Sequence, residues 1–365
     1  MKKIMFTAKN LKLGGIEKAL VMITNYLSEQ GNDVTIVLEQ KEGELLDELN
    51  NKIKIEEHKP SRNKVRIIRK IQNAIKRIEA IFKYKNKYDI SVSFATYSIP
   101  GSFVARIASK NSILWGHADY YKLCGNNEFK MKKFFSRLKY NKFSKFVFVA
   151  QSAKKSFLKV FPEKKDCTYY CNNLIDSEKI KKLSQETIEL RKDIDITFLN
   201  LGRHDETQKK LTRIIEASKK LKEKGYKFKV IFVGEGESTD LYKNMVDNYG
   251  LKDFILFEGA KKNPYPYFRV SDCVILSSDY EGYPVVFLES FILGKPIITT
   301  KVSDYEDVEN GRGIVCEKTT KGVYDGMRKF LDSGYTVGEA FDFDEANSRN
   351  RSMLNEILGL TWFYS

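Results

Sequence analysis

Short apolar runs alternate with amphipathic segments through both halves of this chain, and that alternation restricts its fold more than any other feature. In the first half, residues 3–7, 33–38, 89–94, 112–115 and 146–150 each read as a buried strand. Between the first two lies I-E-K-A-L-V-M-I-T-N-Y-L, where Ile16, Leu20, Ile23 and Leu27 recur at helical spacing. A further helix is expected over 152–160. The second half repeats the pattern, with strands at 197–201, 229–233, 254–257, 273–276, 297–299 and 314–316. Helical segments separate them, such as the one carrying Leu211, Ile214, Ile215 and Leu221 and another over 322–331. Parallel strands need a crossover long enough for a helix, so this alternation predicts helix-covered parallel sheets. The chain reads as α/β, with two Rossmann-like parallel-sheet domains facing each other across a cleft. Its 365 residues suffice for two domains. Residues 1–176 are expected to form the first and 177–340 the second. Residues 341–365, with Met353, Leu354 and Ile357 apolar, are expected to form a helix crossing back to the first domain.

Charge narrows the partners. No run of about 18 apolar residues occurs, so no membrane-spanning helix is expected, and the first residues read as a strand rather than a secretory signal. Five cysteines without a C-x-x-C pair suit reduced thiols in the cytoplasm, and three scattered histidines offer no histidine-based metal site. The net charge of +15 is uneven: residues 1–185 carry 37 Lys and Arg against 18 Asp and Glu, residues 186–365 only 26 against 30. A polyanionic surface is therefore expected to meet the first half. Residues 64–87 place Ile68, Ile71, Ile75, Ile78 and Phe82 on one face and almost only bases on the other. Residues 130–145 mix Phe134, Phe135 and Phe143 with seven Lys or Arg and no acid. Helices of this kind can lie on anionic lipid, where each basic group adds roughly 1 kcal/mol. The alternative is a core-facing helix with a solvated basic back. No helix-turn-helix, RRM or zinc pattern supports a nucleic-acid partner.

The densest set of candidate site residues lies in 277–296, S-S-D-Y-E-G-Y-P-V-V-F-L-E-S-F-I-L-G-K-P. Glu281 falls in the loop after a strand and Glu289 in the first turns of the next helix. Gly282, Tyr283 and Pro284 make the turn between, and the N–H groups of Val285 and Val286 open the helix. At the carboxyl edge of a parallel sheet such a helix start favours phosphate, and a nearby carboxylate can hold a ribose. An isolated E-x7-E is ordinarily two solvated glutamates; the strand–turn–helix context is what favours a site. Arg203 and Lys209 follow the first strand of the second half, where they can neutralise a diphosphate. Gly14 and Gly15 open the first helix after the first strand, an arrangement that also serves as a plain structural turn. His117 stands just past a strand end, where a lone histidine is more often structural than catalytic.

These motifs resemble the retaining glycosyltransferases of family 4 (group 1), which have the GT-B fold. E-G-Y-P-V-V-F-L-E matches the family's E-G-[FY]-x-x-x-x-x-E, and L-G-K-P-I-I-T-T follows it. Gly202, Arg203 and Lys209 match G-R-x-x-x-x-x-K, with Lys210 where a glycine is common. G-G-I-E-K-A-L, W-G-H-A-D and N-N-L-I-D resemble its N-terminal, histidine-bearing and interdomain motifs. The resemblance implies metal-independent hexosyl transfer from a nucleotide-diphosphate sugar to an acceptor hydroxyl, with retained anomeric configuration and no cofactor. By carry-over, Arg203 and Lys209 hold the diphosphate with backbone at Gly14, Gly15 and 283–286. Glu289 binds the ribose, and Glu281 and His117 contact the donor sugar.

The acceptor is expected to be a lipid-linked or cell-surface glycan intermediate, reached from the inner face of the membrane. The alternatives are a soluble acceptor, another nucleotide-sugar enzyme of this fold such as an epimerase, or a non-catalytic basic binding protein. D-I-D at 193–195 and D-F-D at 342–344 look like metal-binding D-x-D motifs, but neither follows a nucleotide-binding half, so both are read as surface carboxylates.

Overall fold

The computed structural model describes residues 1–94, 96–189, 196–335, 337–338 and 341–360. The chain divides into two compact units, Met1–Leu174 joined by the chain from Asn347 on, and Ile175–Ala346. The D-I-D at 193–195 lies outside the described residues.

The first unit is a seven-stranded parallel sheet. Its strands are β1 (Lys3–Ala8), β2 (Asp33–Leu38), β3 (Lys54–Glu57), β4 (Ile90–Ser93), β5 (Ser112–Gly116), β6 (Lys145–Phe148) and β7 (Thr168–Tyr170). They are ordered β3-β2-β1-β4-β5-β6-β7. The helices of this unit are α1 (Gly15–Glu29), α2 (Arg66–Tyr84), α3 (Ile99–Ala108), α4 (Tyr120–Leu123), α5 (Glu128–Arg137) and α6 (Gln151–Val160). The second unit is a six-stranded parallel sheet of β8 (Thr197–Leu201), β9 (Lys229–Val233), β10 (Ile255–Gly259), β11 (Cys273–Leu276), β12 (Ile297–Thr300) and β13 (Gly313–Cys316). The order is β10-β9-β8-β11-β12-β13. Its helices are α7 (Ser177–Ser184), α8 (Thr212–Glu223), α9 (Thr239–Asn248), α10 (Tyr265–Val270), α11 (Val285–Ile292), α12 (Glu306–Glu309) and α13 (Thr320–Ser333), and α14 (Phe343–Leu358) follows. Both sheets are thus the helix-covered parallel sheets that the alternation predicts. No helix among the described residues is long and apolar enough to cross a membrane.

Local chemistry explains several boundaries. Asp176 caps α7 by accepting from Lys179 N–H at 2.9 Å, and Thr319 caps α13 by accepting from Gly322 N–H at 3.0 Å. Asp342 does the same for α14, taking Glu345 N–H at 2.8 Å, so the D-F-D motif serves a helix start. In α14, Leu354, Ile357 and Leu358 are buried, and Asn355 donates to the Tyr26 hydroxyl at 3.2 Å.

The basic stretch 130–145 departs from the expected single helix. Its chain leaves the helix after Leu138, because Lys139 adopts a left-handed φ of 56°. Phe135 and Phe143 are buried, and Phe134 stacks on Tyr120 at 5.2 Å. Phe135 also meets Phe157 at 5.1 Å and Phe161 at 5.5 Å, while Phe157 packs on Phe146 and Phe148. The three phenylalanines are therefore core or bound to it, which favours the core-facing alternative over lipid for this stretch. Residues 64–87 do form a helix, α2, whose apolar face is not in the core.

An aromatic cluster of this density predicts where the first unit is most easily broken. Phe157→Ala should cost about 3–5 kcal/mol of unfolding free energy in urea titrations. Phe129→Ala, at a position 74% exposed on α5, should stay within about 0.5 kcal/mol.

Candidate active site

In the second sheet the strand order reverses between β8 and β11. The connections leaving the carboxyl ends of these neighbours run to opposite faces, which opens the crevice where ligands bind in such sheets. The loops 202–211 and 277–284 therefore meet at the switch point. Their backbones are stitched together: Asp279 N–H donates to Gln208 C=O at 2.8 Å. The Ser277 hydroxyl reaches the carbonyls of Lys209 and Lys210, each at 2.9 Å. Arg213, from the first turn of α8, donates to Ser277 C=O at 2.8 Å and pairs with Asp279 at 2.6 Å.

Glu281 is the focus of this seam. It is 7% exposed. Its Oε1 takes Lys209 Nζ at 2.7 Å and the Ser278 hydroxyl at 2.7 Å, and its Oε2 takes Gln208 Nε2 at 3.1 Å. Ser303 donates to the Glu281 carbonyl at 2.9 Å. A carboxylate with this many donors is fixed in place and keeps its charge compensated. Gln208, Ser278, Ser303 and Arg213 were missing from the sequence-based set. Gln208 adjoins Lys209, and Arg213 follows it by one helical turn, which is the signal that spacing alone could have supplied.

Downstream, Gly282, Tyr283 and Pro284 are buried and α11 opens at Val285. Pro284 occupies the cap without a side-chain hydrogen bond, so the N–H groups of Val285 and Val286 point outward from an uncapped helix start. The Tyr283 hydroxyl donates to Asp307 at 2.7 Å, which holds the turn against α12. Burial raises the Asp307 carboxyl above its usual range, with the Tyr283 bond opposing the shift. Glu289, one helical turn in, is 3% exposed and accepts from the Tyr265 hydroxyl at 3.2 Å.

The two cations following β8 differ in environment from each other. Lys209 is largely covered, whereas the Arg203 side chain is 68% exposed and touches Asp205 only at 3.6 Å. Lys210 turns away, with Nζ 3.7 Å from Glu206. Its φ of 53° is left-handed, which accounts physically for a glycine at that position being easier. Close approach also governs the loop after β9. A Cβ at Gly234, where φ is 146°, would lie 1.9 Å from the Gly202 carbonyl oxygen.

In the first unit, Gly14 and Gly15 follow β1 at the start of α1. Glu17 hangs over Gly14, its Oε2 2.3 Å from where a Cβ would be, so an anion there requires that carboxylate to swing aside. His117 follows β5, its ring 4.3 Å from the Phe94 ring and its Nε2 shut off from solvent without a hydrogen-bond partner. Burial pushes its pKa down to about 3, against a hydrogen bond to the Phe94 backbone, so the imidazole is neutral. Asp119, the acid of W-G-H-A-D, is structural: it accepts from the N–H groups of Tyr121 and Lys122 and from Ser156 at 3.0 Å.

Two Rossmann-like parallel sheets, with a carboxylate–lysine seam at the switch point of the second, define the GT-B fold. Residues 182–345, which lie within the second unit, match the family model of glycosyl transferases group 1. A Methanocaldococcus jannaschii protein named as an uncharacterized glycosyltransferase is 30% identical over 155 residues, 41% of this chain and 38% of that protein. The N-acetyl-alpha-D-glucosaminyl L-malate synthase of Bacillus anthracis is 31% identical over 106 residues, 28% of each chain. The chain thus spans well under half the length of these relatives. Anabaena HepE, solved in complex with UDP and glucose, superposes with a TM-score of 0.77 at 16% identity, covering 97% of this chain and 100% of its own.

Two outcomes follow from this geometry. Between pH 6.5 and about 3 the unfolded chain takes up a proton that the folded His117 ring refuses. Stability from this group is full above pH 6.5 and falls as pH drops, by up to about 1.4 kcal/mol per pH unit. Urea unfolding at pH 7 and pH 5 should show a smaller loss for His117→Gln than for wild type. At the left-handed position, Lys210→Gly should leave stability within about 1 kcal/mol, whereas Gly234→Ala should lower the melting temperature clearly.

Proposed function

We propose that this protein transfers a hexosyl group from a nucleotide-diphosphate sugar to an acceptor hydroxyl, with retention of anomeric configuration. The observation that carries this reading is the Lys209–Glu281 pair, seated at the switch point of a group 1 glycosyl transferase domain. In the absence of donor each neutralises the other. A diphosphate offers Lys209 a doubly charged partner, with Arg203 and the Val285–Val286 helix start adding positive potential. Glu281 is then released to accept from a hydroxyl of the donor sugar. Glu289 serves the ribose, His117 presents its uncharged ring to the sugar, and Gly14 and Gly15 approach the phosphate. The bond from the anomeric carbon to the diphosphate breaks, and the acceptor oxygen bonds to the same face. The acceptor proton passes to the departing phosphate oxygen. The protein's contribution is orientation and stabilisation of the leaving group, supplied by side chains and backbone without metal.

UDP sugars are the first donors to test, since HepE was solved with UDP and glucose. A lipid-linked glycan acceptor at the inner face of an anionic membrane suits the basic first half, where 37 Lys and Arg face 18 acids.

Thermal melting with UDP and GDP sugars should show stabilisation by one donor class, unchanged by chelator. Lys209→Ala and Glu281→Ala should each lower turnover at least a hundredfold, about 3 kcal/mol, with circular dichroism unchanged. Near-wild-type turnover in either variant, or no melting shift from any donor at millimolar concentration, would overturn the reading.

A further inference from the structure

Helix α2 is built inside out. At 100° per residue, Ile67, Ile71, Ile75, Ile78 and Phe82 fall within one arc of about 80°, with Ile68 at its margin. On an ordinary surface helix this stripe would face the core. Here the side turned to the protein carries Asn73, Ala80 and Tyr84, about 180° away. Tyr84 anchors it by donating to Glu56 at 2.8 Å. The isoleucine stripe points to solvent: Ile67 is 70% exposed and Phe82 79%. Eight of the thirteen large apolar side chains exposed among the described residues belong to residues 65–82. A soluble monomer rarely gathers so many into one continuous patch, and such a patch marks an interaction surface.

Charge identifies what covers it. Residues 64–87 hold nine Lys or Arg and one acid, Glu79. Lys83 and Lys76 flank the stripe on one side, beyond Glu79, which pairs with Lys76 at 3.0 Å, and Lys70 and Arg77 flank it on the other. Behind the helix, Asn73, Lys76 and Arg77 with His58, Ile99 and Phe103 line a groove of about 200 Å³, cationic on one wall and apolar on the other. A second copy of this chain would bring the same cations against these, and like charges at an apolar contact oppose association. An anionic bilayer satisfies both features at once, taking the isoleucines among its acyl chains and the flanking cations at its headgroups.

We propose that α2 is the membrane-docking element, lying in the interface of an anionic bilayer with the Ile67–Phe82 stripe inserted. The second basic stretch does not share this role through its aromatics, since Phe135 and Phe143 are buried. The inference rests on the proposed function only for the direction of traffic, because a lipid-linked acceptor is what would make docking useful.

Vesicle co-sedimentation of the full chain tests it, with phosphatidylglycerol–phosphatidylcholine vesicles beside pure phosphatidylcholine. Wild type should sediment with the anionic vesicles and at least tenfold less in raised salt or with the neutral ones. Ile71→Glu/Ile75→Glu should lower binding at least tenfold, and Arg66→Glu/Lys70→Glu should weaken binding to anionic vesicles. All four positions are exposed, so melting temperature is the control for folding. Absence of wild-type binding, or unchanged binding by both variants, would overturn the proposal. So would a dimer in light scattering that Ile71→Glu/Ile75→Glu dissociates without any vesicle binding. Melting shifts with donor nucleotides on the same samples keep the two readings apart: loss of docking with donor response intact concerns α2 alone, and the converse concerns the transferase site alone.

Discussion

The ion pair between Lys209 and Glu281 is the contact on which the second unit's site depends. Each residue sits on a loop leaving one of two neighbouring strands, β8 and β11, where the sheet order reverses. Loops at a switch point have no helix between them to fix their separation, so side chains and backbone of the loops themselves must do it. Ser277, Gln208, Asp279 and Arg213 supply those links. The pair is then held in a mostly covered setting, where Coulomb attraction exceeds that of a surface pair and where losing one partner leaves the other charge exposed to the desolvation cost of the seam. A seam of this kind is rigid, and in the proposed function a rigid set of charges would lose little to reorganisation on binding a diphosphate.

Much of this was legible in the sequence because the strands concerned are central and buried on both faces. The expected bounds 33–38, 197–201, 229–233 and 273–276 coincide with β2, β8, β9 and β11. Unbroken Val, Ile, Leu and Phe runs leave little choice of conformation when both faces are covered. The elements that escaped are those whose register comes from neighbours. β3 is K-I-E-E, a short edge strand with charged residues, and β7 has three residues, too few for any periodicity. α3 begins at Ile99 with Pro100 in its first turn, and its cap Ser98 takes Gly101 N–H at 2.8 Å. That signal is legible in S-I-P-G, just past the strand expected at 89–94.

The two basic stretches show where composition stops and geometry begins. Residues 64–87 and 130–145 look alike as strings of aromatic or aliphatic residues among lysines. One became a helix with its apolar face outward; the other broke at Lys139 and buried its phenylalanines against Phe157 and Phe161. The difference lies in spacing. A stripe repeating every three to four residues over 15 positions stays on one face of one helix. Phe134, Phe135 and Phe143 share no such face, and adjacent aromatics are best satisfied by a common cluster.

Charge placement in the second half completes the logic of the site. Residues 186–365 hold 26 Lys and Arg against 30 Asp and Glu, so this half contributes no net positive field of its own toward a diphosphate. Attraction must come from cations within a few ångströms, where screening by salt is weakest. Lys209 qualifies, but an uncompensated ammonium at that depth would be costly. Glu281 removes that cost, and Ser278 and Gln208 hold it ready without themselves being charged. Any anion must therefore outcompete a carboxylate at 2.7 Å. A singly charged ion gains little by doing so, whereas a diphosphate that also reaches Arg203 and the α11 start gains on several contacts together. In the proposed function the acid beside the lysine thus acts as a filter on what can bind as well as a group that binds.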